Sequence, residues 1–334
     1  MIKSRRQVIG LLAISGCVLS NLVVGNLKTS RTVKKEKLEE NYSPLPQAVI
    51  DGVKSFVFFL GHPHSGHSIV GSVLDSHPHI VMAHEEHVFN RKYPMHCNKS
   101  CMFNNLWKNS YESCHGRGLR TEEADSKGYS LAIKGLYQGV YKSYIDVIGD
   151  KSGGGSAKLL KDIPKQWESV YKKLKSVVGV PVKAIHVIRN PYDNIASVIL
   201  YTLSNREQSQ NVTITNLKSG NNNDYEISLT IINHKITEYF TIYQAIEDAK
   251  KKYNLDVLEM HGIDLITQPK KIIMELFEFL NVDCSDHFLA VCEEQVYTKE
   301  SKSRYKIKWE DEHLSIIQEN IQKFGNLRRY NLDS

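Results

Sequence analysis

The stretch SFVFFLGHPHSGHSIVGSVL, residues 55–74, limits the fold more than any other part of the chain. The apolar residues Phe56, Val57, Phe58, Phe59 and Leu60 read as a strand buried on both faces, and 68–74 reads as a helix. Between them Gly61 and Gly66 bracket a tight turn. A strand that passes through such a turn into a helix aims the helix's first amides at one point beyond the sheet edge, which makes an anion site. Gly61, four residues, Gly66 and then Ser68 repeat the spacing of a nucleoside triphosphate P-loop, yet His67 stands where the phosphate-binding lysine belongs. Ser65, Gly66, His67 and Ser68 can still hold a phosphate through backbone N–H groups.

Downstream, strand and helix patterns alternate. Short apolar runs occur at 80–82, 131–133 and 145–148, a helix is expected over 164–178, and a strand over 182–188. A further helix follows Asn190-Pro191, a long helical stretch covers 224–253, and a strand covers 256–260. Alternation of this kind predicts an α/β fold: a P-loop-like three-layer sandwich with a central parallel sheet flanked by helices. GGG at 153–155 and SGNNND at 219–224 read as loose loops. The 334 residues, 41% of them hydrophobic, suffice for one large domain. The net charge of +6 is scattered, so nucleic acid is not the expected partner.

The first residues stand apart from that domain. A tail, 1–7, carries Lys3, Arg5 and Arg6; residues 8–25 are apolar and uncharged and read as a membrane anchor or signal segment. Residues 26–52 read as a polar stem, leaving 53–334 as the folded domain. Sequons at Asn41, Asn98 and Asn211 all follow the apolar segment and lean towards lumenal exposure. Cys284 and Cys292 are either a local disulfide or two buried thiols, and among Cys97, Cys101 and Cys114 one pair leaves an odd thiol. A zinc site using these with His96 or His115 fits no standard spacing.

A second constellation is RNPYDNIAS. Arg189 closes the strand, Asn190 is placed to cap a helix, Pro191 suits its first position and Asp193 its first turn. Ser197 returns to the face of Asn190. Arginine at a helix mouth with a hydroxyl on that face is a second anion site, and two such sites on one sheet suit a nucleotide with phosphates at both ends. A nucleotide kinase would instead end its strand in a Mg²⁺-binding aspartate, where this strand ends in Arg189.

These residues resemble the sulfotransferases that use 3′-phosphoadenosine 5′-phosphosulfate (PAPS). That family carries P-x-S-G after its first strand for the 5′-phosphosulfate, matched by Pro63, His64, Ser65 and Gly66, and R-(x)7-S for the 3′-phosphate, matched by Arg189 through Ser197. GHPHSGHSIVGSVLDSHPHIVMAHEE is similar to the tyrosylprotein branch, in which a glutamate after this stretch acts as base; Glu85 is the match. DLITQPKKIIMELFEFLNV looks like a late family helix, so the similarity runs from about Lys54 to Leu280. The resemblance implies PAPS as sulfuryl donor, no metal, a glycan, protein tyrosine or small alcohol as hydroxyl acceptor, and a Golgi type II membrane protein or a secreted one. It also implies a lysine at the end of a middle strand, Lys151 or Lys161. The chain departs at His64, where the family has Lys or Arg; a protonated imidazole is the expected substitute. It departs again at His261, Gly262 and Ile263, where the tyrosylprotein branch has a cofactor-stacking tyrosine. Two rivals are an inactive nucleotide-binding protein on this fold and a P-loop kinase. Metal binding by His62, His64 and His67 is a further alternative, opposed by side chains expected to point different ways.

Overall fold

A computed structural model of the protein describes residues 42–89, 96–115, 120–121, 131–210, 229–296 and 300–334. Five parallel strands form one sheet in the order β2-β3-β1-β4-β5: β1 Ser55–Leu60, β2 Ile80–Ala83, β3 Val147–Asp150, β4 Val182–Ile188 and β5 Asp256–His261. The helices are α1 Gln47–Gly52, α2 His67–Asp75, α3 Lys99–His115, α4 Gly153–Asp162, α5 Pro164–Val178 and α6 Pro191–Gln210. They continue as α7 Leu229–Tyr253, α8 Gly262–Thr267, α9 Pro269–Leu280, α10 Asp286–Gln295 and α11 Asp311–Lys323.

The five apolar residues of β1 explain the layering. Phe56, Phe58 and Leu60 face a core shared with α3, α5 and α7, where Trp167 and Tyr171 pack. Val57 and Phe59 face the opposite core, built with α2, α9 and α10. All five are buried, and each such side chain contributes about 1.5–3 kcal/mol by leaving water. Helix α5 starts at Pro164 and stops at left-handed Gly179, burying Trp167, Val170, Tyr171, Leu174 and Val178 along one stripe.

Three expectations change. The run 131–133 forms no strand; the Ile133 N–H donates to the Gln138 side chain at 2.7 Å. Residues 153–155 are the first turn of α4, for reasons given below. The end of the expected stem is packed: Leu45 and Ile50 are buried in the core, and Trp107 donates to the Ser43 carbonyl at 3.2 Å. The segment 8–25, Asn41 and Asn211 lie outside the described residues; among those described, no helix is long and apolar enough to cross a membrane.

Cys97 and Cys101 form a disulfide, while Cys114, Cys284 and Cys292 are free thiols, so the disulfide considered for 284 and 292 is not formed. Cys292 is buried beside Phe277 and Phe288 as a small apolar residue.

Candidate active site

Because every strand runs the same way, the segments following β1, β2, β3 and β4 leave the sheet at one edge. The chain moves from β1 to one side for β2 and β3 and to the other for β4 and β5, so a crevice opens at the carboxyl end of β1. The candidate residues 63–68, Glu85, Lys151 and Arg189 follow those four strand ends.

The glycine turn enters α2 through Gly66, at φ 101°. That residue has no side chain to cap the first-turn N–H groups, which suits them to an anion from outside. His67 does not replace the missing lysine. Its Nε2 donates to the Leu60 carbonyl at 3.0 Å, and burial, with Lys151 nearby, pushes its pKa down to about 3. It is a neutral brace under the turn.

The cation comes instead from the neighbouring strand. Lys151, directly after β3, extends its stem across Gly71 of α2, where a Cβ would lie 2.8 Å from the lysine Cγ. Its Nζ donates to Ser68 Oγ at 3.1 Å and to Glu85 Oε1 at 2.7 Å. The lysine side chain is 2% exposed and that of Glu85 53%. Burial lowers the Lys151 pKa, and the pull of Glu85 only partly offsets it. Lys161, the rival for this role, pairs with Asp162 at 3.0 Å and Glu238 at 3.5 Å on the far end of α4.

The three glycines at 153–155 explain the tight approach of α4. A Cβ on Gly153 would sit 2.4 Å from the His67 ring, one on Gly154 2.9 Å from the Pro63 ring, and one on Gly155 3.3 Å from His87. Gly153 and Gly154 are packing surfaces against the glycine turn, and Gly155 against the loop that carries Glu85.

Arg189 ties two segments together. Its guanidinium donates to the carbonyls of His64 at 3.1 Å and Ser301 at 2.5 Å, and to Ser303 Oγ at 3.3 Å. Beside it lies a cavity of about 280 Å³, with Ser65, Gly66 and Arg189 at its polar end and Ile69, Val187, Ile263 and Leu265 on its walls. An apolar slot that ends in loop amides and a guanidinium fits a purine nucleotide carrying phosphates. Ser197 is half-buried on α6 and is not among the residues lining this cavity.

His64 lines the cavity with its ring 5.0 Å from that of Tyr201. Burial and the adjacent Arg189 lower its pKa, which works against a protonated imidazole standing in for lysine. The loop histidines have separate partners: His62 Nε2 donates to the Tyr239 carbonyl at 2.8 Å, its ring stacked on Tyr239, while His67 turns to Leu60. A three-residue metal-type cluster among the described residues, His186, Glu247 and Glu259, surrounds the Lys250 ammonium, which bonds all three.

Sequence reasoning missed the support around Glu85. Asp150 ends β3 and is the strand-end aspartate a kinase reading would need, but its two oxygens accept the N–H groups of Glu86 and Val88 at 2.9 and 3.0 Å. It also missed Asp75, which is buried, accepts from the Met82 N–H and Ser110 Oγ at 2.7 Å each, and pairs with Arg120 at 2.9 Å. An acidic residue closing an otherwise apolar strand or helix was the available signal in both cases.

The family model for the sulfotransferase domain matches residues 55–328, and the chain belongs to this family. Its fold is similar to that of sulfotransferase STF9 from Mycobacterium avium, at 12% identity over 87% of this chain and 81% of that one, TM-score 0.43. It is also similar to the sulfotransferase domain of the curacin biosynthetic pathway, at 14% identity over 76% and 83%, TM-score 0.40. Mouse sulfotransferase SULT7A1, solved in complex with PAP, matches at 12% identity over 84% of each chain, TM-score 0.36. A search of curated proteins finds no match.

Proposed function

We propose that the chain transfers a sulfuryl group from PAPS to a hydroxyl acceptor, with Glu85 as general base and Lys151 as the cation of the reaction. The observation that carries this reading is the position of Lys151 Nζ, in contact with Ser68 of the phosphate turn on one side and Glu85 on the other. Bound in the cavity, PAPS supplies the sulfuryl group and departs as the 3′,5′-bisphosphate. The amides of 65–68 and Arg189 hold the nucleotide, and His64 lines the slot. Glu85 takes the proton of the acceptor hydroxyl. Lys151 holds a fixed positive charge beside Ser68, in a place shielded from water, where it opposes negative charge gathering on the leaving oxygen.

An open groove lined by His87, Phe89, Ser152, Gly155, Leu159 and Gln166 lies next to the residues that follow Glu85 and Lys151, and it is our choice for the acceptor. Its open shape favours a glycan or protein hydroxyl over an enclosed small alcohol. We place the protein in the Golgi lumen, as a type II membrane protein or a secreted one. The apolar segment at 8–25, the exposed sequon at Asn98 and the Cys97–Cys101 disulfide support that placement.

The test is transfer of radiolabelled sulfate from PAPS to a panel of glycans, tyrosine peptides and small alcohols. Labelled product from wild type and its loss in Glu85→Gln are expected. Binding of 3′,5′-ADP without transfer to any acceptor or to water would mark an inactive nucleotide-binding protein and overturn the proposal.

A further inference from the structure

Residues 84–88, which follow β2 and include Glu85, lack regular secondary structure, yet their backbone is held almost residue by residue. The His84 N–H donates to Asn109 Oδ1 at 2.7 Å, Glu86 N–H to Asp150 Oδ1 at 2.9 Å, His87 N–H to Ser152 Oγ at 3.1 Å, and Val88 N–H to Asp150 Oδ2 at 3.0 Å. Asn109 also donates to the Glu86 carboxylate at 2.7 Å. Four of the five amides from 84 to 88 are therefore taken by side chains from β3's end and α3.

This loop is under strain. Glu85 and His87 have φ of 62° and 61°, left-handed values that cost a non-glycine residue about 1–2 kcal/mol each. Such a conformation persists only when its surroundings enforce it. The enforcing group is unusual: Asp150 is 1% exposed, both its oxygens are aimed at the loop, and its nearest chain neighbour is Lys151, the partner of Glu85.

We propose that Asp150 is a positioning residue for the base, its buried carboxylate fixing the strained turn that brings Glu85 onto Lys151, with Ser152 as its auxiliary. One dipeptide at the end of β3 thus sets both partners of the pair, Lys151 directly and Glu85 through two backbone amides. A carboxylate suits this task because it accepts two N–H groups at once; an amide in its place presents a donor to one of them. The inference rests on Glu85 being the base, as proposed above.

The experiment compares Asp150→Asn, Glu85→Gln and the double variant in the full chain. Turnover is measured with labelled PAPS on the best acceptor of the panel, or on water, and 3′,5′-ADP affinity by calorimetry. Amide hydrogen exchange at Glu86 and Val88 is read in parallel. Asp150→Asn should lower kcat about 10- to 100-fold, the cost of a misplaced catalytic group, keep 3′,5′-ADP affinity within a few-fold, and speed exchange at both amides. In the Glu85→Gln background the same change should cost nothing further. If Asp150→Asn does not fold, Ser152→Ala, which frees the His87 amide and removes a hydroxyl partner of Asp150, should show a smaller loss of kcat that likewise vanishes without Glu85. Full turnover in Asp150→Asn, or losses that multiply in the double variant, would overturn the inference. Full turnover in Glu85→Gln would instead overturn the assignment of the base and leave the exchange result to report on the clamp alone.

Discussion

Replacing Lys151 with methionine separates what this side chain does for stability from what it does for catalysis. The ammonium is almost wholly buried and has one charged partner, Glu85, whose own side chain is half exposed. Burial lowers the lysine pKa in spite of that partner, so the folded protein holds this proton less tightly than the unfolded chain does. The sign follows: stability rises with pH as the lysine deprotonates, and at neutral pH the charge works against folding. Methionine keeps the length of the stem across Gly71, creates little cavity and leaves Glu85 free to turn to water. Lys151→Met should therefore range from neutral to about 2 kcal/mol more stable in urea unfolding. Turnover should fall about 10²- to 10³-fold, or about 2.7–4 kcal/mol, the usual loss when one preorganised charge donor is removed. Urea melts, single-turnover sulfuryl transfer and 3′,5′-ADP calorimetry on one preparation decide it. A variant that loses 3 kcal/mol or so of stability along with its activity would show that the lysine is a structural pair, and the account of a buried charge kept for chemistry would fail.

Further outcomes follow from neighbouring contacts. The basic limb of the pH–kcat profile should lie below the ordinary lysine value of about 10.4, because activity is lost as pH rises through the lowered Lys151 pKa; Lys151→Arg should be slower but lose that limb. His64→Ala should leave the limb in place and weaken 3′,5′-ADP binding only a few-fold, since burial and Arg189 already disfavour the charged ring; a limb that moves would restore His64 as the cation. Gly153→Ala should destabilise by about 1–3 kcal/mol through overpacking, as its methyl meets the His67 ring, and wild-type stability in a thermal melt would refute the packing reading. Arg189→Lys cannot serve three acceptors with a guanidinium's fork, so 3′,5′-ADP affinity should fall about tenfold or more.

Much of the sheet could be read from the sequence because its strands are buried on both faces and its helices have strong end signals. The strand at 182–188 and the helix at 164–178 match the observed β4 and α5 in both bounds, since Pro164 and Gly179 punctuate one and Arg189-Asn190-Pro191 ends the other. The glycine run at 153–155 was misread because flexibility is what three glycines imply locally; their actual reason, Pro63, His67 and His87 pressed against them, lies 66 or more residues away in the chain. The choice between Lys151 and Lys161 was open for a related cause. Both follow apolar stretches, and only the register of β3 beside β1 and β2, with Asp150 level with Phe58 and Ala83, brings Lys151 beside the end of β1, within reach of Ser68.

That register also answers what a phosphate cradle does without its lysine. In a P-loop the cation and the amides belong to one turn, so they move together; here the turn supplies amides and the cation arrives from the adjacent strand. Position 67, relieved of its charge, is used as a brace: the His67 ring fills the space between Leu60, Ser65 and Gly153, where a lysine would have to bury its ammonium. Moving the charge to β3 has a chemical consequence. A lysine there reaches Ser68 on one side and Glu85 on the other, so one ammonium touches both the nucleotide-binding turn and the proposed base. A lysine at position 67 would have to span the turn to do the same. On the proposed reading the swap gives a site in which donor and acceptor chemistry share one charge, with Gly71 leaving room for the Lys151 stem and Asp150 fixing the loop of its partner Glu85.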